Sequence, residues 1–328
     1  MTLGQVKDRL SAHFFQNNPL RWVHGIAIGV QTEGKPHKAG KRPAQQILVF
    51  LEPSVPCCEL EEITGLIKRL AGNNFSIVMT SRFVGLQAAT GTSISYYAPY
   101  RDNVPQVSAG TFGAVVEVGG KRYILGSNHV LAHNGRTGFD ADVVAPSTRD
   151  ATARTAIGSV SHVVELIPPP WPLKGAPKAR ANKADCALAE IRPGAGIAAS
   201  TEVRLFTGTL LGTAIIQEGR SPGAKRSRIS LIQWDGFIAF SFGTYYFADL
   251  MGTLGRDEFA LPGDSGSLVR AESVDTGVGL VTARAYTYDS NHELSGYVIL
   301  FCSLSRVRDQ LAVLFATSPG QLTFRRDS

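Results

Sequence analysis

Apolar positions fall into short runs along the chain, most of them separated by glycine, proline or a polar cluster. Residues 23–30 and 46–51 read as β-strands, with a Gly-, Lys- and Pro-rich polar loop over 31–43 between them. Residues 58–71 change the rhythm, because Leu60, Ile63, Leu66, Ile67 and Leu70 recur near the helical spacing. Glu59, Glu61 and Glu62 in the first turns and Lys68 and Arg69 in the last suit the dipole of a helix, and Gly72 supplies its C-cap. A strand over 75–84 completes a β-loop-β-α-β unit. Residues 88–106 are low in aliphatics, end at Pro105 and read as a linker.

From Thr111 onward the texture is different. Residues 112–118, the pair Gly119-Gly120 and residues 121–125 read as a hairpin. Short strands follow at 160–166, 186–191, 203–206, 209–217, 229–233, 236–242, 268–270, 278–285 and 296–302. Strands at this density without intervening helices argue for an all-β barrel or sandwich. A helix over 305–315 is expected to close the chain against it. The pattern therefore divides the chain into a small α/β N-terminal leader domain, 1–104, and an all-β domain, 105–328.

Composition narrows the classes. A chain of 328 residues carries a prior of two domains, and 44% apolar with 18% charged residues suits a packed core rather than a disordered chain. No apolar run approaches the ~20 residues a transmembrane helix needs, so no membrane partner is expected. The first 20 residues have no apolar stretch of the signal-peptide kind. Cys57, Cys58, Cys186 and Cys302 have no zinc-binding spacing and read as free thiols of a reducing compartment, so a cytoplasmic location is expected. Net charge is +6, and the densest basic stretches, 38–42 and 225–228, lack interleaved aromatics. They read as solvated loops, so a nucleic-acid partner is not expected. His24 and His37 stand alone and read as structural or surface histidines.

Three segments carry candidate chemistry. Gly126-Ser127-Asn128-His129-Val130-Leu131 places a histidine where a strand ends and a short helical turn begins, a position from which an imidazole can act as general base. His133 could form an i, i+4 metal pair with it, but no third ligand or HExxH glutamate accompanies them. Asn182-Lys183-Ala184-Asp185-Cys186-Ala187-Leu188 sets one carboxylate at the mouth of an apolar strand. That aspartate can orient a histidine, although the segment alone fits a turn aspartate equally well. Asp140, Asp142 and Asp150 compete with less apolar support. Leu261-Pro262-Gly263-Asp264-Ser265-Gly266-Ser267 places a serine between glycines, on a turn that can expose its hydroxyl. The N–H groups of Gly263 and Ser265 could then form an oxyanion hole, in which one donor is typically worth about 100- to 1,000-fold in rate.

Together with Gly110-Thr111-Phe112-Gly113, these segments resemble the trypsin/chymotrypsin-like serine peptidases. The resemblance is nearest to an intracellular bacterial branch similar to the plant Narrow leaf proteins. It covers roughly residues 108–316 and rests on the His…Asp…Ser order, which other serine hydrolase folds do not share. It implies an all-β, chymotrypsin-like double barrel with a cleft between the barrels. Ser265 would be the nucleophile, His129 the general acid/base and Asp185 the orienting carboxylate. Gly263 and Ser265 would supply the oxyanion hole, with Asp264 helping hold that loop. The implied activity is serine endopeptidase hydrolysis of a protein or peptide substrate through an acyl-enzyme, with no cofactor and no metal.

Departures from the family pattern matter as well. No Ile-Val-Gly-Gly start precedes the barrel, so activation by a freshly cut N-terminus is not expected. Ser267 replaces a common glycine. Phe259 stands where a trypsin pocket has its aspartate, so cleavage after Lys or Arg is not supported. The strand Gly279-Leu280-Val281-Thr282-Ala283-Arg284 looks like the lining of the substrate cleft, with Phe259, Thr282 and Arg284 as candidate pocket residues. Arg284 could neutralise an acidic P1 residue or merely cap the pocket. Two other functions fit the same scaffold. One is a non-catalytic protein-binding module whose cleft is blocked by the leader domain or the 136–182 loop; the other is an esterase using the same triad. The leader domain could also receive a regulatory partner.

Overall fold

The computed structural model describes residues 1–17, 22–30, 44–85, 93–96, 109–148, 150, 153–168, 181–220 and 223–326. The 31–43 loop with His37 and the 38–42 basic cluster, and most of the presumed linker, lie outside these residues.

The N-terminal unit begins with a helix, α1 (Leu3–Ala12), which the sequence reading did not anticipate. Thr2 and Gln5 close a capping box at its start. Strands β1 (Val23–Val30) and β2 (Gln45–Leu51) pair antiparallel, α2 (Cys57–Ala71) follows, and β3 (Phe75–Thr80) returns parallel to β2. Gly72 ends α2 at φ 63°, the left-handed cap expected there. Next come β4 (Phe83–Gly85) and β5 (Ser93–Tyr96). β5 lies inside the presumed linker yet is buried, pairing with residues 110–111 and 143–144.

The β-rich body starts with β6 (Gly110–Thr111), β7 (Ala114–Val118) and β8 (Lys121–Gly126). A one-turn helix, α3 (Asn128–Leu131), precedes β9 (Asp142–Ala145), β10 (Thr155–Val163), β11 (Ala187–Ile191) and β12 (Thr201–Glu202). Then follow β13 (Ala214–Gln217), β14 (Lys225–Arg228), β15 (Leu231–Phe240), β16 (Gly243–Gly255), β17 (Leu268–Ala271), β18 (Thr276–Tyr288) and β19 (Leu294–Ser303). A C-terminal helix, Leu304–Leu314, and β20 (Thr323–Arg326) complete the chain. Residues 225–228 are thus not a loop: β14 pairs along β13 at a sheet margin, which leaves its basic side chains partly exposed.

Among the described residues the strands form two sheets. One runs β12-β20-β7-β8-β11-β10-β9-β5-β6. The other runs β14-β13-β17-β18-β19-β16-β15-β1-β2-β3, with β4 bridging β15 and β18. The body is mostly β, a closed barrel and a second half-barrel, consistent with the all-β, chymotrypsin-like double barrel expected from the sequence, with helix on its N-terminal side.

The second sheet continues into the N-terminal unit because 229–233 and 236–242 are not two strands. They merge into β15, whose register shifts around Trp234 and Gly236. β1 pairs with β15 there, and a Cβ at Gly236 would lie 2.4 Å from the His24 carbonyl. Only glycine permits that approach. β2 is apolar on both faces, as a strand covered on two sides must be. Leu48 and Phe50 join the central core with Phe83, Trp234 and Phe247, whereas Ile47, Val49 and Leu51 join a second core under α1 and α2. Tyr246 and Ala248 of β16 belong to that second core. A buried ion pair, Lys7 with Asp235, ties α1 to β15.

Candidate active site

β8 delivers the chain to Ser127, the N-cap of α3, and the one-turn helix then presents His129. The loop beyond is braced by two asparagines. Asn128 donates to Val164 O at 2.8 Å, and its Oδ1 accepts from Asn134 N–H at 2.9 Å. Asn134 Oδ1 accepts from Leu166 N–H at 2.7 Å. Neither asparagine stands out in sequence, since only the tertiary register brings Val164 and Leu166 beside them.

Asp185 lies just before β11, and β11 pairs with β8, so one pair of neighbouring strands delivers both site residues. Asp185 Oδ2 is 2.5 Å from His129 Nδ1, and its Oδ1 accepts the His129 backbone N–H at 3.2 Å. One fully buried carboxylate thereby fixes both the ring and its backbone. An Nδ1–H donated to Asp185 leaves Nε2 as the basic atom. Two of the competing aspartates are engaged elsewhere: Asp150 pairs with Arg220 and Asp142 with Arg192. His133 packs against Tyr96 and Phe242, and burial lowers its pKa.

Ser265 comes from the other sheet, on the turn before β17. Its hydroxyl donates to Thr282 O at 3.4 Å, and its carbonyl accepts from Thr111 N–H at 2.7 Å. The turn is compressed against the first sheet. Gly266 has φ 85°, and a Cβ there would lie 2.8 Å from Thr111 O and 2.9 Å from Ser127 N. This explains why Ser265 is followed by glycine.

The candidate oxyanion donors have the right neighbours. Gly263 has φ 99°, and its carbonyl is turned toward Thr111 Oγ1, which donates at 2.9 Å. The Asp264 carbonyl accepts from Ser267 N–H at 2.9 Å. In a trans peptide the Ser265 N–H must then point the opposite way. Among the described residues neither the Gly263 nor the Ser265 N–H has a protein acceptor.

The candidate pocket residues are less open. Phe259 is buried with Met251, Val281, Ile299 and Phe301. Thr282 Oγ1 hydrogen-bonds with Leu280 O and Cys302 Sγ. Arg284 pairs with Glu258 and donates to Tyr286 Oη at 2.9 Å, so its charge is already matched. All four cysteines are free; burial pushes the Cys302 thiol up to about 12.

The cleft is also closed. Ser265 is 0% and His129 2% exposed. The Phe240 ring lies 5.0 Å from the His129 ring, and Phe242 stacks on Phe240. β4 lies antiparallel on β18, with Gly85 opposite Ala283 and Val84 opposite Arg284.

No protein-family model and no curated protein matches the chain. Among solved structures it is similar to a glutamic acid-specific serine protease, at 13% identity over 73% of this chain and 100% of that one, TM-score 0.41. Thermobifida fusca Protease A gives 14%, 73%, 98% and 0.41, and Nocardiopsis protease 13%, 72%, 97% and 0.42. Likeness at this level does not fix chemistry.

Proposed function

We propose that the protein is a serine endopeptidase in which His129, Asp185 and Ser265 act as a triad. The observation that carries this reading is the pairing of a fully buried Asp185 with His129 Nδ1 at 2.5 Å, beside a serine turn whose neighbouring carbonyls are tied back. His129 Nε2 takes the proton of Ser265 as its Oγ attacks a peptide carbonyl. The N–H groups of Gly263 and Ser265 receive the developing oxyanion, and His129 returns the proton to the leaving amine. Water, deprotonated by His129, then hydrolyses the acyl-enzyme. Apart from the substrate and that water, these steps use only protein groups.

In this reading residues 105–328 form the catalytic body and residues 1–104 the regulating unit, in the cytoplasm. The N-terminal strands reach the edge of the cleft through β4, so a partner bound to that unit has a physical route to Ser265. An extended peptide adds to an exposed strand edge by main-chain hydrogen bonds. Next to Ser265 that edge is β18, where β4 now sits.

The closed cleft favours a second reading, a binding module that uses the same scaffold without cutting. Incubation with a mixed peptide library separates the readings. Cleavage that vanishes in Ser265→Ala supports the peptidase. Turnover of activated esters with every peptide intact supports an esterase, and inertness toward both supports the binding module.

A further inference from the structure

The serine turn contains a fully buried carboxylate, Asp264, that takes no part in the proposed proton transfers. A buried carboxylate is costly unless hydrogen bonds satisfy it, so its partners define the conformation it stabilises. Asp264 Oδ2 accepts from Leu261 N–H at 2.8 Å and from Gln217 Nε2 at 3.1 Å. Gln217, the last residue of β13, is itself fully buried. Its second amide proton goes to Phe259 O at 3.2 Å. The amide thus spans both sides of the turn, holding the chain before it at Phe259 and the carboxylate within it.

The space leaves little freedom. A Cβ at Gly219 would lie 2.4 Å from Asp264 Oδ1 and 2.9 Å from Gln217 Oε1. On the opposite side Thr111 Oγ1 holds the Gly263 carbonyl and accepts Arg220 N–H at 2.9 Å. β13 therefore fixes the turn from behind through Gln217, and the chain just past it fixes the front through Arg220 and Thr111.

We infer that Gln217 is the positioning residue that keeps the Gly263 and Ser265 N–H groups aimed at the oxyanion, so that the donor pair is formed without any activating cut. The inference rests on the peptidase reading. It assigns a task to a residue that touches no substrate. The neutral amide is suited to it because both its protons are consumed, one by an acceptor on the turn and one by the chain just before it.

The test measures fluorophosphonate labelling of Ser265 in the full chain from pH 5 to 9, as the rate at saturating probe and the probe concentration for half that rate. In Gln217→Leu the saturating rate falls about 100- to 1,000-fold, as for loss of an oxyanion donor, with little change in the half-saturating concentration. Gln217→Glu sets two carboxyl groups against each other, and such a pair shares one proton until the pH forces both to ionise. Its rate relative to wild type is therefore highest at acid pH and falls as pH rises. A purely structural glutamine would not produce that slope. Gln217→Asn, which withdraws the amide by one methylene, reproduces the loss of rate and decides the matter if the other two lose the native circular dichroism spectrum. A flat Gln217→Glu ratio, or Gln217→Leu or Gln217→Asn within threefold of wild type, overturns the inference. If Ser265 fails to label both in the wild type and in Phe83→Ala, which frees β4 from β18, the peptidase reading fails first, and the two failures are distinguishable.

Discussion

Replacing Asp185 by asparagine changes one buried atom and leaves the shape of the site intact. The carboxylate makes two bonds to His129, one to the ring at 2.5 Å and one to the backbone N–H at 3.2 Å. In Asp185→Asn the amide oxygen can keep only one of them. If it stays on the backbone N–H, the amide NH2 faces Nδ1, which must then accept. The ring proton moves to Nε2, the atom that has to take the proton from Ser265. The base is present but in the wrong tautomer, and loss of this kind costs up to about 10,000-fold, or about 5.4 kcal/mol at 1.36 kcal/mol per decade. The assay is the second-order rate of fluorophosphonate labelling of Ser265 at neutral pH, alongside the urea midpoint to confirm that the fold survives. A variant that labels within tenfold of wild type would refute the role given to Asp185.

Four further outcomes follow from the same contacts. Phe83 anchors β4 through edge contacts to Trp234 at 4.8 Å and Phe50 at 5.7 Å; Phe83→Ala lowers stability by roughly 3–5 kcal/mol yet raises the labelling rate of Ser265, and an unchanged or slower rate would show that β4 does not guard the cleft. Lys7→Met leaves Asp235 buried without its ammonium partner and costs about 3–5 kcal/mol in urea unfolding, whereas Lys7→Met with Asp235→Leu recovers most of the loss. At pH 8 iodoacetamide modifies exposed Cys57 and Cys58 in the native protein, while Cys186 and Cys302, whose thiol pKa values burial raises, react only after unfolding, as peptide mass mapping will show. Burial lowers the pKa of His24, His133 and His162; the unfolded chain therefore binds more protons as pH falls below about 6.5, and the urea midpoint drops between pH 7 and 5.5.

The candidate site is legible where chemistry needs particular residue types in a particular order. His129, Asp185 and Ser265 are singled out because a histidine at a strand end, an aspartate before a strand and a serine between glycines each carry a local signature. Helix α2 and the Gly119-Gly120 hairpin were equally legible, since spacing and turn residues are local properties, and both glycines take positive φ. What stayed hidden depends on register. Gln217 is an ordinary glutamine at a strand end until β13 pairs with β17 and sets it behind Asp264. β4 looked like the end of a longer strand over 75–84, and nothing local indicated that residues 83–85 would pair with Ala283 and Arg284. α1 is not legible in the sequence because one of its buried positions is Lys7, a charge that the distant Asp235 makes tolerable.

The central claim is that His129, Asp185 and Ser265 form an assembled nucleophilic site. Fluorophosphonate labelling of the wild type, Ser265→Ala and His129→Ala, with the modified residue mapped by mass spectrometry, tests it most directly. The account predicts label on Ser265 of the wild type and none in either variant. A wild type that stays unlabelled at Ser265, with Phe83→Ala unlabelled as well, would contradict it and leave a scaffold that binds without cutting.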